Sequence, residues 1–235
     1  MRIFVAPEAL AAGELRITGD EHHYLGRVRR ARIGDAVEIV DGAGRRAAAT
    51  IERITDEHTQ LRVAEPEAIA AKPPHVRALV PLIKGDRMDV CIEKLVEVGV
   101  DSIVVWPAAR SIVRFDDARR DGRLAKYRAA VQAAARQCGR AQVPDVTHAN
   151  DLATAISNLP AGDRIVLDPA SDAPLVVGTS VDVTLASGPE GGLTATELEQ
   201  LAAAGFVAIG LGPRVLRAET APTIAVALIR AASRS

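Results

Sequence analysis

Two loops near the C-terminus carry the residues best suited to bind and act on a ligand. The first is Ser187-Gly188-Pro189-Glu190-Gly191-Gly192. The second is Gly210-Leu211-Gly212-Pro213-Arg214-Val215-Leu216-Arg217-Ala218-Glu219-Thr220. Glycines let backbone approach a ligand closely, and free N–H groups at a helix start hold polar atoms. Both loops carry glutamate and the second adds arginine, so proton handling and stabilisation of negative charge are open to them. Neither contains G-x-G-x-x-G or G-x-x-x-x-G-K-[ST], and the chain has no G-x-S-x-G elbow. The histidines His22, His23, His58, His75 and His148 lack H-x-x-x-H spacing, and Cys91 and Cys138 cannot supply a four-ligand zinc site, so no metal is expected. Each loop can also be read as a plain glycine-rich turn before a helix. The residues alone reach an α/β protein with a glycine-lined pocket near its C-terminal strands, beside a basic helix.

The elements that must position these loops fall into two sets. In the first 70 residues, apolar stretches at Ile3–Val5, Leu15–Ile17, Ala36–Val40, Ala47–Ile54 and Thr59–Val63 are separated by Gly19-Asp20, Gly34-Asp35 and Asp41-Gly42. Such pairs between short strands are turn chemistry, and predict a small β-barrel with one helix near Glu21–Arg30. Glu65–Pro74 is polar, Pro-bearing and aperiodic, and reads as the boundary between a domain at 1–70 and one at 75–235. Beyond it strands alternate with helices. Strands are predicted at Val76–Ile83, Ile103–Trp106, Arg164–Leu167, Val183–Ala186 and Phe206–Leu211. Helices are predicted at Asp86–Val98, with Met88, Cys91, Ile92, Leu95 and Val98 inward, at Gly122–Cys138, with Leu124, Tyr127, Val131, Ala134 and Cys138 inward, at Thr194–Ala204 and at Glu219–Ala232. Gly99 stands where a C′ glycine would end the first helix, and Thr194 with Glu197 forms a capping box for the third. Alternating β and α implies a parallel sheet covered on both faces, with ligands at the carboxyl ends of its strands.

The chain has 235 residues, 48% hydrophobic and 25% charged, with a formal net charge of −1. That is the balance of an ordinary globular protein, and it argues against a uniformly basic nucleic-acid binder. The distribution is uneven. Arg110–Gln142 holds nine basic residues against Asp116, Asp117 and Asp121, so this window carries +6 and the remainder −7. Arg27, Arg29, Arg30 and Arg32 form a second cluster, and only four of the 29 basic residues are lysine. Arginine's rigid fork suits phosphate and base edges, although a charge run is also how a solvated helix face reads. No signal peptide or transmembrane run is visible, and the two thiols are expected to be reduced, which together predict a cytoplasmic protein.

At the two loops the sequence resembles a known family. Gly188-Pro189-Glu190-Gly191-Gly192-Leu193-Thr194, followed by Leu211-Gly212-Pro213-Arg214-Val215-Leu216-Arg217-Ala218-Glu219-Thr220-Ala221, is similar to the paired signature of the bacterial 16S ribosomal RNA uridine-N3 methyltransferases of the SPOUT superfamily. The resemblance covers the whole chain. It includes His22–Arg30, Ile33-Gly34-Asp35 and Asp41-Gly42-Ala43-Gly44 in the first domain, and Lys84-Gly85-Asp86-Arg87-Met88, Glu93–Val100, Arg110-Ser111 and Gln137-Cys138-Gly139-Arg140 in the second. It implies a PUA-like, RNA-binding barrel followed by a parallel-sheet domain with a C-terminal trefoil knot, an exception to the rule that chains do not thread loops. The family usually has glutamate where this chain has Arg136, and a non-proline residue where it has Pro222. Near a helix start the proline is tolerated.

The resemblance further implies S-adenosylmethionine as methyl donor, held by Leu167, Ser187, Gly188, Gly191, Leu211, Gly212, Val215 and Leu216. The loops would then bond adenine and ribose rather than a phosphate. The acceptor would be N3 of a uridine in 16S ribosomal RNA within the 30S subunit. Arg217 and Arg140 would stabilise negative charge on the uracil, and Glu190 or Glu219 would orient or deprotonate it. For Glu219 a helix N-terminal carboxylate reads equally well. RNA contacts would come from Arg27, Arg29, Arg30, Arg110 and Arg136, and the active species would be a homodimer. Lys94 reads as a solvated lysine or a site residue, and Cys138 as a core or pocket thiol. Ribose 2′-O methylation, or an RNA-binding assembly factor without activity, are the alternatives.

Overall fold

The computed structural model describes residues 1–70, 72–113, 117–176, 178 and 180–233, without the side chains of residues 117–119. Arg114 and Asp116 of the basic window therefore lie outside the described residues, as do the side chains of Asp117 and Arg119. The chain divides into two compact units. The first is Met1–Ala71 with Ala135–Val143, and the second is Lys72–Ala134 with Pro144–Ser235.

The first unit is built on β1 (Arg2–Phe4), β2 (Gly13–Ile17), α1 (Gly19–His23), β3 (Ala36–Val40), β4 (Arg45–Ile54), β5 (Thr59–Val63) and β6 (Glu67–Ala68). The strands run in the order β1-β3-β4-β5-β2, with β6 on β4. β1 is parallel to β3 and the other pairs are antiparallel, so the sheet is mixed. Period-two alternation in β4 sends Ala47, Ala49 and Ile51 inward, against Ile3, Ile39, Leu61 and Leu25. Two expectations are corrected here. Glu65–Pro74 is not wholly irregular, because Glu67 and Ala68 pair with Arg46 and Arg45; two residues are too short to leave a periodic signal. The helix expected over Glu21–Arg30 is α1 running into a π-helical turn at Tyr24–Val28, which a 3.6-residue period does not reveal.

The second unit contains β7 (His75–Pro81), α2 (Arg87–Val98), β8 (Ser102–Trp106), most of α3 (Asp117–Cys138), β9 (Asp145–His148), α4 (Leu152–Ile156), β10 (Asp163–Leu167), β11 (Asp182–Ala186), α5 (Ala195–Ala203), β12 (Val207–Ile209) and α6 (Thr220–Ala232). Its sheet is parallel throughout, in the order β12-β10-β11-β7-β8-β9. β9 and α4 have no counterpart in the sequence reading; four and five residues are too few for either pattern. α2 ends at Gly99, whose φ of +106° supplies the left-handed cap. Its buried face is Met88, Cys91, Ile92, Leu95 and Val96, so Val96 takes the place expected for Val98. In α3, Tyr127, Val131 and Ala134 are buried, while Leu124 is half-buried and Cys138 is exposed. Cys138 is therefore not a core thiol; it lies in the last turn, where the helix stops burying that face.

Sheet order and connectivity disagree in one informative place. β12 lies at the sheet edge beyond β10, yet the next helix, α6, packs on α2, β7 and β11. On the way the chain is gripped by the segment after β10. Gly210 N–H donates to the Ala173 carbonyl at 2.9 Å, Asp168 N–H to the Ile209 carbonyl at 3.0 Å, and Ser171 Oγ to the Ala208 carbonyl at 3.0 Å. A Cβ at Gly210 would fall inside the Ser171 carbonyl oxygen. Gly210→Ala should thus cost about 2–3 kcal/mol by overpacking, read as a lower denaturant midpoint with unchanged slope.

The two thiols differ sharply. Burial, reinforced by the negative charge of Glu219, pushes the Cys91 thiol up to about 12, whereas Cys138 is exposed. A thiol reagent at pH 8 should label one cysteine per folded chain and the second only on unfolding. Loss of the fast phase in Cys138→Ser would confirm the assignment; two equally fast thiols would contradict it.

Candidate functional site

The paired loops meet where the sheet rule places a ligand. A cavity of about 390 Å³ opens at the carboxyl ends of β10, β11 and β12, within the range of roughly 300–1,000 Å³ seen for small-molecule sites. Leu167, Ser187, Gly188, Leu211, Gly212, Val215 and Leu216 line it, and so do Glu190 and Arg217. Gly191 does not. Its carbonyl accepts from Arg110 Nη1 at 3.0 Å, and Gly192, at φ +71°, faces the cavity in its place. The left-handed backbone at Gly192 turns the loop into α5, and Gly192 N–H donates to Pro189 O at 2.8 Å.

The polar framework explains why the loop holds its shape. Arg110 Nη1 also donates to Leu193 O at 3.3 Å, strapping the loop from outside the cavity. Thr194 caps α5 and Glu197 completes the box: Glu197 Oε2 accepts from Thr194 N–H at 2.7 Å and from its hydroxyl at 3.0 Å. The other oxygen of Glu197 accepts from Ala109 N–H at 2.7 Å. One buried carboxylate thereby ties the loop after β8 to the helix after β11. On the cavity wall Ser187 is buried, and its hydroxyl has no hydrogen-bond partner among the described residues. A buried polar atom left open on a cavity wall is a place for a ligand group.

Arg217 and Glu219 are side by side but differently placed. Arg217 Nη1 lies 3.8 Å from Glu219 Oε1, with side chains 75% and 12% exposed. Arg217 lines the cavity, whereas Glu219, largely buried at the N-cap of α6, is not among its lining residues. Pro222 is buried in the first turn of that helix, where its missing N–H costs no bond. Arg140 is half-buried in the first unit and is not among the cavity residues. Arg27, Arg29 and Arg30 are exposed at and after the π-helical turn, with Arg30 at φ +51°. Arg136 pairs with Glu21 at 2.7 Å, its guanidinium 5.4 Å from the Phe4 ring centre. Burial holds the Glu21 carboxyl above the ordinary carboxylate range, against the opposing pull of Arg136. Lys94 is held by Glu93 and Glu97, both at 2.9 Å. Sequence reasoning assigned no individual site role to Arg87, Asp168 or Arg214, which line the cavity wall. Arg87 could have been found: it starts the helix after β7, the strand next to β11. Among the described residues no group of His, Cys, Asp and Glu could hold a metal, and no helix is long and apolar enough to cross a membrane.

An α/β unit with a ligand cavity at its strand ends, following in the chain a mixed-sheet unit rich in arginine, defines a class with known members. Residues 70–230 match the RNA methyltransferase domain family, and residues 17–64 match the RNA methyltransferase PUA domain. The chain belongs to this RNA methyltransferase family. Its relatives include the ribosomal RNA small subunit methyltransferases E of Mycobacterium bovis, 33% identical over 91% of this chain and 84% of that one, and of Bacillus subtilis, 30% identical over 91% and 88%. The crystal structure of the ribosomal RNA small subunit methyltransferase E from Neisseria gonorrhoeae, bound to S-adenosyl methionine, superposes with a TM-score of 0.86 at 27% identity, covering 98% of this chain and 97% of that one.

Proposed function

We propose that this chain transfers the methyl group of S-adenosylmethionine to N3 of a uridine in 16S ribosomal RNA, acting in the cytoplasm on the 30S subunit as a homodimer. The reading includes a PUA-like barrel spanning 1–70 and a knotted SPOUT domain spanning 75–235. The grip of residues 168–173 on Gly210, with the return of the chain from the sheet edge to its centre, is what supports the knot.

The observation that carries the reading is the cavity itself, with an apolar slot and a few polar groups. Leu167, Leu211 and Leu216 suit an adenine ring, and the open Ser187 hydroxyl and the Asp168 carboxylate suit ribose hydroxyls. When bound, the donor supplies an electrophilic methyl on a sulfonium whose sulfur keeps the C–S electron pair and leaves as a neutral thioether. The chain must do the rest. Uracil N3 carries a proton, and the base must be splayed from its stack to be reached. Glu190, on the cavity wall, takes the N3 proton. Arg217 stabilises the negative charge spread over the uracil carbonyl oxygens while the N3 lone pair forms the new N–C bond. Glu219, 3.8 Å from Arg217, orients it. Arg140 is assigned further charge stabilisation, and Arg27, Arg29, Arg30, Arg110 and Arg136 the RNA contacts.

Calorimetry tests the cofactor half directly. One S-adenosylmethionine per chain is expected, with affinity lowered roughly fivefold in Ser187→Ala through loss of one hydrogen bond. Absence of binding to the wild-type chain would contradict the reading.

A further inference from the structure

Arg87 is the first residue of α2, and it faces the cavity across from Glu190. Its Nη1 lies 3.5 Å from Glu190 Oε1, with side chains 47% and 25% exposed. β7, which precedes α2, and β11, which precedes the Glu190 loop, are neighbours in the sheet. The pair therefore bridges two adjacent loops over the cavity mouth. The backbone of the Glu190 loop is fixed separately by Arg110, which bonds the carbonyls of Gly191 and Leu193. Breaking the Arg87–Glu190 contact would free a side chain without loosening the loop. Arg214 and Arg217 also line the cavity, so three guanidiniums face two carboxylates, Glu190 and Asp168, and the excess is positive.

We infer that Arg87 is an exchangeable latch: in the free protein it occupies Glu190, and on RNA binding it passes to a backbone phosphate of the acceptor strand, leaving Glu190 free to face the base. This rests on the reading of the cavity as a methyl-transfer site. Three physical arguments carry it. A long, solvent-exposed ion pair is weak, so it is easily exchanged. Arginine bonds phosphate through two parallel N–H groups, a better match than the single contact with Glu190. A base entering the cavity leaves its flanking phosphates at the mouth, where Arg87 is. Arg87 is thus a positioning residue, acting on the reaction through Glu190.

The test is the salt dependence of binding to 30S particles lacking the methyl group, titrated with monovalent salt at fixed magnesium. Arg87→Ala should bind more weakly, and its slope of log affinity against log salt should be shallower by about 0.7–0.9, the signature of one lost phosphate contact. Arg87→Lys should keep the slope. Glu190→Gln should bind RNA about two- to fivefold more tightly, because Arg87 is released in advance. That gain should vanish in the Arg87→Ala, Glu190→Gln double variant. An unchanged slope in Arg87→Ala, or no tightening in Glu190→Gln, overturns the latch. Calorimetry with S-adenosylmethionine on the wild-type chain and these four variants separates the two claims. Normal cofactor binding with unchanged slopes removes the latch alone, whereas no cofactor binding to the wild-type chain removes the site reading on which it rests.

Discussion

Arg217→Ala should lower the kcat of methylation about a hundred- to a thousandfold while leaving the fold and S-adenosylmethionine binding intact. The magnitude is that of removing one preorganised charge from the place where negative charge develops. Preservation of the fold follows from exposure: three quarters of the Arg217 side chain is open to solvent and its ion pair with Glu219 is 3.8 Å long. Substitutions at such positions usually shift stability by no more than about 0.5 kcal/mol. The split between kcat and cofactor affinity is what distinguishes this role from simple lining of the cavity. Glu219→Gln should give a smaller loss, since it disturbs Arg217 without removing it. Turnover near the wild-type rate in Arg217→Ala would end the assignment.

Glu197→Ala should be the most damaging substitution to the framework, costing about 3 kcal/mol. The carboxylate is buried and accepts from the backbone N–H groups of Thr194 and Ala109 and from the Thr194 hydroxyl. Truncation removes the charged acceptor shared by three part-buried hydrogen bonds, each worth roughly 1 kcal/mol or more, and with it one side of the helix cap. Because Ala109 adjoins Arg110, which straps the Gly191–Leu193 turn, cofactor affinity should fall with stability. Urea unfolding and calorimetry on the same variant would show both. A stability loss with unchanged cofactor affinity would mean that the strap does not shape the cavity.

Much of this framework was legible before the structure. The capping box at Thr194 and Glu197, the left-handed stop at Gly99 and the two glycine loops are local patterns, written in residues a few positions apart. What escaped had no local signature. β6, β9 and α4 are two, four and five residues long, too short for a periodic pattern to stand out. The placing of Ala135–Val143 with the first unit is a long-range choice, as is the grip on Gly210. Among the loop glycines, spacing does not tell that Gly191 turns outward to Arg110 while Gly192 turns inward. Arg87 was overlooked for another reason. It sits in a helix start that looks like any other, and its importance comes only from β7 lying beside β11.

The central claim is the identity of the methylated atom. Unmethylated 30S particles, incubated with this chain and isotope-labelled S-adenosylmethionine, can be digested to nucleosides and resolved by mass spectrometry. The expected result is label in N3-methyluridine and in no other nucleoside. Label in a 2′-O-methylated nucleoside, or no label despite measured cofactor binding, would contradict it.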